Sequence, residues 1–102
     1  MTDFAALRAS MVDRQLRRRD IADERVLRAM GEVPREAFVP ESYRSRAYAD
    51  SALPIGEKQT ISQPWIVAAI CQALELKGEE KVLEIGSGSG YSAAVLSHLA
   101  AR

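Results

Sequence analysis

The chain has 102 residues, 47% of them hydrophobic and 27% charged, and its 14 basic and 14 acidic side chains leave no formal net charge. That balance, without a long uncharged apolar run, is a globular composition and excludes a membrane-spanning helix; the lack of a basic surplus argues against nucleic acid or an anionic membrane as the main partner. Cys71 is the single cysteine, so an intrachain disulfide is excluded, and with Ala69 and Ile70 beside it the residue reads as a small buried side chain. With no signal-peptide pattern at the start, the expected compartment is the cytoplasm.

In chain order, residues 3–18 have helical spacing, with Phe4, Leu7, Met11, Val12 and Leu16 on a broad apolar stripe. Arg14, Arg17, Arg18 and Arg19 follow without interleaved aromatics and are answered by Asp20, Asp23 and Glu24. They read as a solvated helix end, where cations suit the dipole, and not as a nucleic-acid patch. Asp23 is the expected N-cap of a second helix carrying Val26, Leu27, Met30 and Val33 at 3–4 spacing, with Pro34 enforcing a stop. Residues 34–56 are divided by Pro34, Pro40 and Pro54, with short turns expected at 35–38 and 42–45. Phe38, Val39, Tyr43 and Tyr48 are available to pin this segment to a core, so it should be packed irregular structure and not a linker.

The next stretch is Leu53-Pro54-Ile55-Gly56-Glu57-Lys58-Gln59-Thr60-Ile61-Ser62-Gln63-Pro64. Gly56 marks a turn, Thr60 and Ser62 offer hydroxyls in an extended segment on either side of Ile61, and Pro64 suits the first turn of a helix. That helix, residues 65–74, is apolar nearly all round, so it is expected to be buried, with Gly78 ending the unit. By position Ser62 reads as a helix N-cap; a functional hydroxyl is the second reading, and the two are compatible.

Val82-Leu83-Glu84-Ile85-Gly86-Ser87-Gly88-Ser89-Gly90-Tyr91 organises the rest. Residues 81–85 read as a short buried strand. The glycines admit a sharp turn and the approach of a ligand to bare backbone, and a helix over residues 91–100 would aim its first N–H groups at the same spot. His98 falls late in that helix as an exposed residue with no partners for a metal. A dinucleotide fingerprint would need glycine where Tyr91 stands. The observed Gly-x-Gly-x-Gly spacing, with Glu84 two residues before the first glycine, resembles the first motif of the Rossmann-like S-adenosylmethionine methyltransferases. A ligand-free glycine turn and a dinucleotide site remain alternatives at this point.

Joined by a buried helix, Gln59-Thr60-Ile61-Ser62-Gln63-Pro64 and the glycine motif resemble the protein-L-isoaspartate (D-aspartate) O-methyltransferase family. Met11-Val12, Gln15-Leu16, Asp23-Glu24-Arg25-Val26-Leu27, Ala29-Met30, Val33-Pro34-Arg35-Glu36, Phe38-Val39-Pro40 and Ala47-Tyr48 extend the likeness over nearly the whole chain. Asp20, where the family often has glycine, and the charged pair Glu57-Lys58 depart from it. The resemblance implies an α/β fold: a helical extension with packed irregular structure over residues 1–56, then residues 57–102 as the substrate and cofactor loop, buried helix and first βα unit of a parallel sheet. It implies S-adenosylmethionine as cofactor, isoaspartyl-containing proteins or peptides as substrate, and protein repair as the role. Ser62 would be the catalytic residue, with Gln59, Thr60, Ile61, Glu84, Gly86, Ser87, Gly88 and Gly90 binding the cofactor, and no metal.

The implied reaction is physically reasonable for such residues. A carboxylate with a pKa near ~4 is already ionised at neutral pH, so alignment and exclusion of water suffice, and hydroxyls and backbone can provide them. In the family, the ribose-binding acid, the adenine pocket and later substrate loops fall beyond the position of Arg102. The chain therefore reads as the N-terminal part of a longer enzyme and is expected to be nearly inactive alone, with strand 81–85 short of ladder partners and helix 65–74 short of the sheet face that would cover it, which leaves an apolar patch. The rival readings are another methyltransferase acting on a small molecule and a non-catalytic interaction module.

Overall fold

The computed structural model describes residues 2–56, 59–76 and 90–100. Helix α1 (Phe4–Met11) is capped by Asp3, whose side chain accepts from the Ala6 amide at 3.0 Å, and it runs into a π turn (Val12–Leu16) and a 3-10 turn (Arg17–Arg19). The expected single helix is thus one helical run with changing pitch, which buries Met11 and Leu16 but leaves Leu7 at the surface. Asp20 ends it at φ 74°, the left-handed region that favours glycine, and the Ile21 amide reaches back to the Leu16 carbonyl at 3.1 Å. The departure from glycine at this position therefore falls on a backbone conformation that costs an aspartate more than a glycine.

The arginines at this end form exposed ion pairs, as expected of a solvated terminus, but of the acids expected to answer them only Glu24 does so among the described residues; the others are Asp13 and Asp50. Arg17 pairs with Glu24 at 2.7 Å, Arg18 with Asp13 at 2.9 Å and Arg19 with Asp50 at 2.6 Å. Helix α2 (Glu24–Glu32) starts at its Asp23 cap, which accepts from the Arg25 amide at 3.0 Å, and turns Val26, Leu27, Ala29 and Met30 inward. Val33 is buried next to them, and the chain leaves the helix before Pro34.

Short 3-10 turns at Arg35–Phe38 and Glu41–Arg46 fill the predicted irregular segment. Val39, Ala47 and Tyr48 are buried, with Phe38 and Tyr43 packed against the core, so the segment is held by its side chains. Strand β1 (Leu53–Gly56) and strand β2 (Gln59–Ile61) pair antiparallel, with Leu53 opposite Ile61 and Pro54 opposite Thr60, and an irregularity between Pro54 and Gly56. This hairpin was not foreseen as a pairing. The expected strand at residues 81–85 lies outside the described residues.

Helix α3 (Pro64–Leu74) has its proline at the first position, where the missing N–H costs nothing. The helix is not buried all round: Val67, Ala68 and Cys71 face inward, whereas Ile66, Ile70 and Leu74, one turn apart, are 39%, 57% and 49% exposed, an apolar patch of the kind expected of this helix. The inward side packs on α2 and the π turn, and among the described residues this one layer covers only one stripe of the helix. Helix α3 ends on Glu75 at φ 51°; Gly78, expected to end the unit, lies outside the described residues. Gln72 ties α3 to the connection before α2: its Oε1 accepts from the Ala22 and Asp23 amides at 2.8 and 2.9 Å, and its Nε2 donates to the Asp20 carbonyl at 3.1 Å. Helix α4 (Tyr91–Ser97) follows Gly90, continues as turns to residue 100, and buries Tyr91, Val95 and Leu99 at a four-residue repeat. Arg25 closes the bundle from α2, donating to the carbonyls of Leu76 at 2.5 Å and Leu99 at 3.0 Å. Cys71 is buried, and His98 is exposed beside Glu32 at 3.1 Å, both where the sequence put them. Among the described residues no helix is long and apolar enough to cross a membrane, and no group of His, Cys, Asp and Glu could hold a metal ion.

Candidate functional site

The site is built from the end of the hairpin, the start of α3 and the start of α4. Strand alternation sets its first part. Ile61 is 2% exposed and anchors β2 against Leu53, so Thr60 before it and Ser62 after it are left at the surface, on either side of the buried isoleucine. Gln59 is exposed at the beginning of the same strand. These four residues therefore form one continuous edge leading into α3.

Ser62 is not the helix cap. Gln63 occupies that position, its carbonyl accepting from the amides of Ile66 at 3.1 Å and Val67 at 3.3 Å, with no side-chain cap. Extended geometry before Pro64 carries Ser62 one residue clear of the helix, so its hydroxyl is not spent on the first turn. The corner is braced from the N-terminal half. Gln63 Nε2 donates to Asp50 Oδ1 at 2.6 Å, Arg19 holds the other Asp50 oxygen, and Trp65 Nε1 donates to the Arg19 carbonyl at 2.8 Å. The Arg19 guanidinium also lies 5.9 Å from the centre of the Trp65 ring. The hydrogen bond from Gln63 holds the Asp50 carboxyl below the usual carboxylate range against the cost of burial, with a smaller contribution from the Arg19 bond and charge.

Beneath this corner is Arg35, which the sequence did not single out as part of a site. It is fully buried; Nε donates to the Ala47 carbonyl at 2.5 Å and Nη2 to the Ser62 carbonyl at 2.8 Å. Its guanidinium stands 4.8 Å from the centre of the Tyr91 ring, the first residue of α4. Burial lowers the Arg35 pKa, opposed by Tyr91, and desolvation pushes the Tyr91 phenol up to about 12 against the pull of the Arg35 charge. Both stay in their ordinary protonation states at neutral pH. No local pattern marks an arginine after a proline as a core residue; its partners are all distant in sequence.

Gly90 enters α4 at φ 85°, and a Cβ there would meet the Phe38 ring at 3.7 Å, ordinary contact. Conformation, not space, is therefore what requires glycine. Phe38 in turn packs edge-on against Tyr91 with ring centres 5.8 Å apart. Glu84, Gly86, Ser87 and Gly88 lie outside the described residues. Of the expected site residues, Ser62 lines a cavity of about 70 Å³, with Val67, Ile70 and Cys71 of α3 and with Ser92 and Leu96 of α4; Ser92, the second residue of α4, is not among the residues the sequence singled out. Apolar walls with a serine at each side suit a small, weakly polar group such as a thioether or methyl. A cavity of this size is too small for a whole nucleoside.

Comparison with known proteins gives a consistent result. The family model described as Protein-L-isoaspartate(D-aspartate) O-methyltransferase matches residues 7–102. "Protein-L-isoaspartate O-methyltransferase 2" of Anaeromyxobacter sp. (strain Fw109-5) is 66% identical over 93 residues, which are 91% of this chain and 38% of that protein. "Protein-L-isoaspartate O-methyltransferase 1" of Syntrophobacter fumaroxidans (strain DSM 10017 / MPOB) is 58% identical over 102 residues, 100% of this chain and 48% of that protein. A solved protein-L-isoaspartate O-methyltransferase superposes with a TM-score of 0.78 at 36% identity, over 90% of this chain and 30% of that one. The chain thus spans between about two fifths and a half of the length of these curated relatives.

Proposed function

Since the chain belongs to the protein-L-isoaspartate(D-aspartate) O-methyltransferase family, we propose that it supplies the helical extension and the substrate-side loop of an enzyme that methylates the carboxylate of L-isoaspartyl residues in damaged proteins. On this reading residues 1–56 are the extension, and residues 57–102 hold the loop, the buried helix and the first strand, glycine loop and helix of the cofactor half. S-adenosylmethionine is the methyl donor, and the methyl on its sulfonium is the only chemistry it has to supply. The protein works in the cytoplasm on peptide and protein substrates, without metal.

The observation that carries the reading is the shared cavity between Ser62 and Ser92. It joins the hydroxyl-bearing edge to the helix that leaves the glycine motif, which is where a methyl acceptor and a methyl donor would have to meet. The Ser62 hydroxyl donates a hydrogen bond to the substrate carboxylate and so aligns one oxygen. Thr60 and the Ile61 backbone bind the extended peptide and the donor, with Gln59 at the entrance. Gly90, together with Glu84, Gly86, Ser87 and Gly88, cradles the amino-acid end of the donor. No base takes part, because the carboxylate arrives ionised; positioning and dryness provide the rate.

The test is methyl transfer from S-adenosylmethionine to an isoaspartyl peptide and to its normal aspartyl isomer, using the protein expressed from its own gene. Transfer to the isoaspartyl peptide alone is expected. Equal transfer to both, or transfer only to small molecules, would replace this reading with that of a different methyltransferase.

A further inference from the structure

Arg35 spends a buried charge on main-chain partners. It is 0% exposed, bonds to the carbonyls of Ala47 at 2.5 Å and Ser62 at 2.8 Å, and lies 4.8 Å from the Tyr91 ring centre. Its own amide donates to Tyr48 Oη at 3.0 Å, and among the described residues Nη1 finds no acceptor. A core position served only by packing would take an apolar side chain at lower desolvation cost. What an apolar side chain could not do is hold three separated pieces at once: the turn at Ala47, the carbonyl of Ser62 and the first residue of α4. The planar fork of a guanidinium reaches two carbonyls and stacks on a ring together, which an ammonium cannot.

Resting on the function proposed above, we infer that Arg35 is a positioning residue for methyl transfer. It fixes the Ser62 carbonyl relative to the Tyr91 end of α4, and so sets where the Ser62 hydroxyl meets the substrate carboxylate. It touches neither substrate nor donor; it acts through the backbone of Ser62. Ser62 is an exposed residue, so among the described residues the hairpin and the Gln63 brace are what would define its place without this clamp.

Arg35→Lys keeps the charge and most of the bulk but cannot bridge both carbonyls. Val26→Ala, a core truncation in α2, serves as the control for stability loss alone. Misplacement of a reacting group by an ångström can cost a hundredfold, so Arg35→Lys is expected to lower kcat about tenfold or more while KM for S-adenosylmethionine stays within about twofold. Amide exchange should accelerate across residues 59–63 and stay unchanged in α2, and Val26→Ala should keep kcat within about twofold of wild type. A kcat loss in Arg35→Lys no larger than in Val26→Ala, or unchanged exchange at residues 59–63, overturns the inference. If the wild-type protein methylates no isoaspartyl peptide, the functional reading fails by itself, and the exchange comparison decides the clamp. Should Arg35→Lys not fold, the wild-type Arg35 Nε–H proton is followed in deuterated water: survival as long as the α2 core amides supports the clamp, and loss together with the exposed arginines overturns it.

Discussion

Replacing Tyr48 with phenylalanine removes one oxygen and leaves the ring, so it isolates the polar contribution of the residue that ties the irregular segment to the core. Tyr48 is 7% exposed, and its Oη accepts from Arg8 Nε at 2.9 Å and from the Arg35 amide at 3.0 Å while donating to Glu36. Arg8 and Glu36 keep each other, 3.4 Å apart and partly solvated, so their loss is small. The Arg35 amide has no such recourse. A buried donor stripped of its acceptor costs about 1–3 kcal/mol, and with the lost bond to Arg8 the total comes to roughly 2–3 kcal/mol. For a domain of about 100 residues each kcal/mol moves Tm by about 4–8 °C, so Tyr48→Phe should lower Tm by roughly 8–24 °C. Calorimetry at neutral pH reads this directly. A Tm within about 2 °C of wild type would mean that water reaches the Arg35 amide and that Tyr48 is held by its ring alone.

Relief of backbone strain at Asp20, φ 74°, makes Asp20→Gly stabilising by about 0.5–1 kcal/mol, because the carbonyl that receives Gln72 is retained; a lower Cm in urea would show that the aspartate side chain compensates for its conformation. Gly90→Ala forces φ 85° on a residue with a Cβ and should cost roughly 1–2 kcal/mol with little steric contribution, and a D-alanine introduced there by ligation should recover the loss; equal stability of the L and D forms would contradict this. Burial raises the phenols of Tyr48 and Tyr91, the latter to about 12, so the folded state holds these protons more tightly than the unfolded state at 10.0. Their contribution is present in full below pH 10 and lost as pH rises toward 12, so the unfolding free energy in urea should fall steeply across that window and would have to stay level there for the burial argument to be wrong.

The elements legible in the sequence were those specified by neighbouring residues. Asp23 as a cap, Pro34 as a stop, Pro64 as a first helical residue and the outward placement of Thr60 and Ser62 around Ile61 all follow from local chemistry and strand alternation. What was not legible depends on partners far along the chain. Arg35 has nothing in its surroundings to distinguish it from the exposed Arg44; it is buried because Ala47, Ser62 and Tyr91 converge on it. Ser62 looked like a cap because a serine just before a helical run usually is one, and only the turn geometry moves that role to Gln63. Apolar composition made α3 read as buried, but composition cannot say how many faces find a partner, and the Ile66, Ile70 and Leu74 stripe did not among the described residues. The hairpin escaped because its connection has no tight-turn dipeptide and its register is irregular.

On the proposed function Ser62 acts through its hydroxyl while its backbone carries the structure, and one measurement separates the two. Ser62→Ala keeps the carbonyl that Arg35 holds at 2.8 Å, so the fold and Tm should be preserved. It removes the hydrogen bond that the proposed function has Ser62 offer to the substrate carboxylate. A bond to a charged partner is worth about 1.5–3 kcal/mol, so kcat for an isoaspartyl peptide should fall about tenfold or more, with KM for S-adenosylmethionine little changed. Turnover equal to wild type in a normally folded Ser62→Ala protein would contradict the central claim and place the chemistry elsewhere.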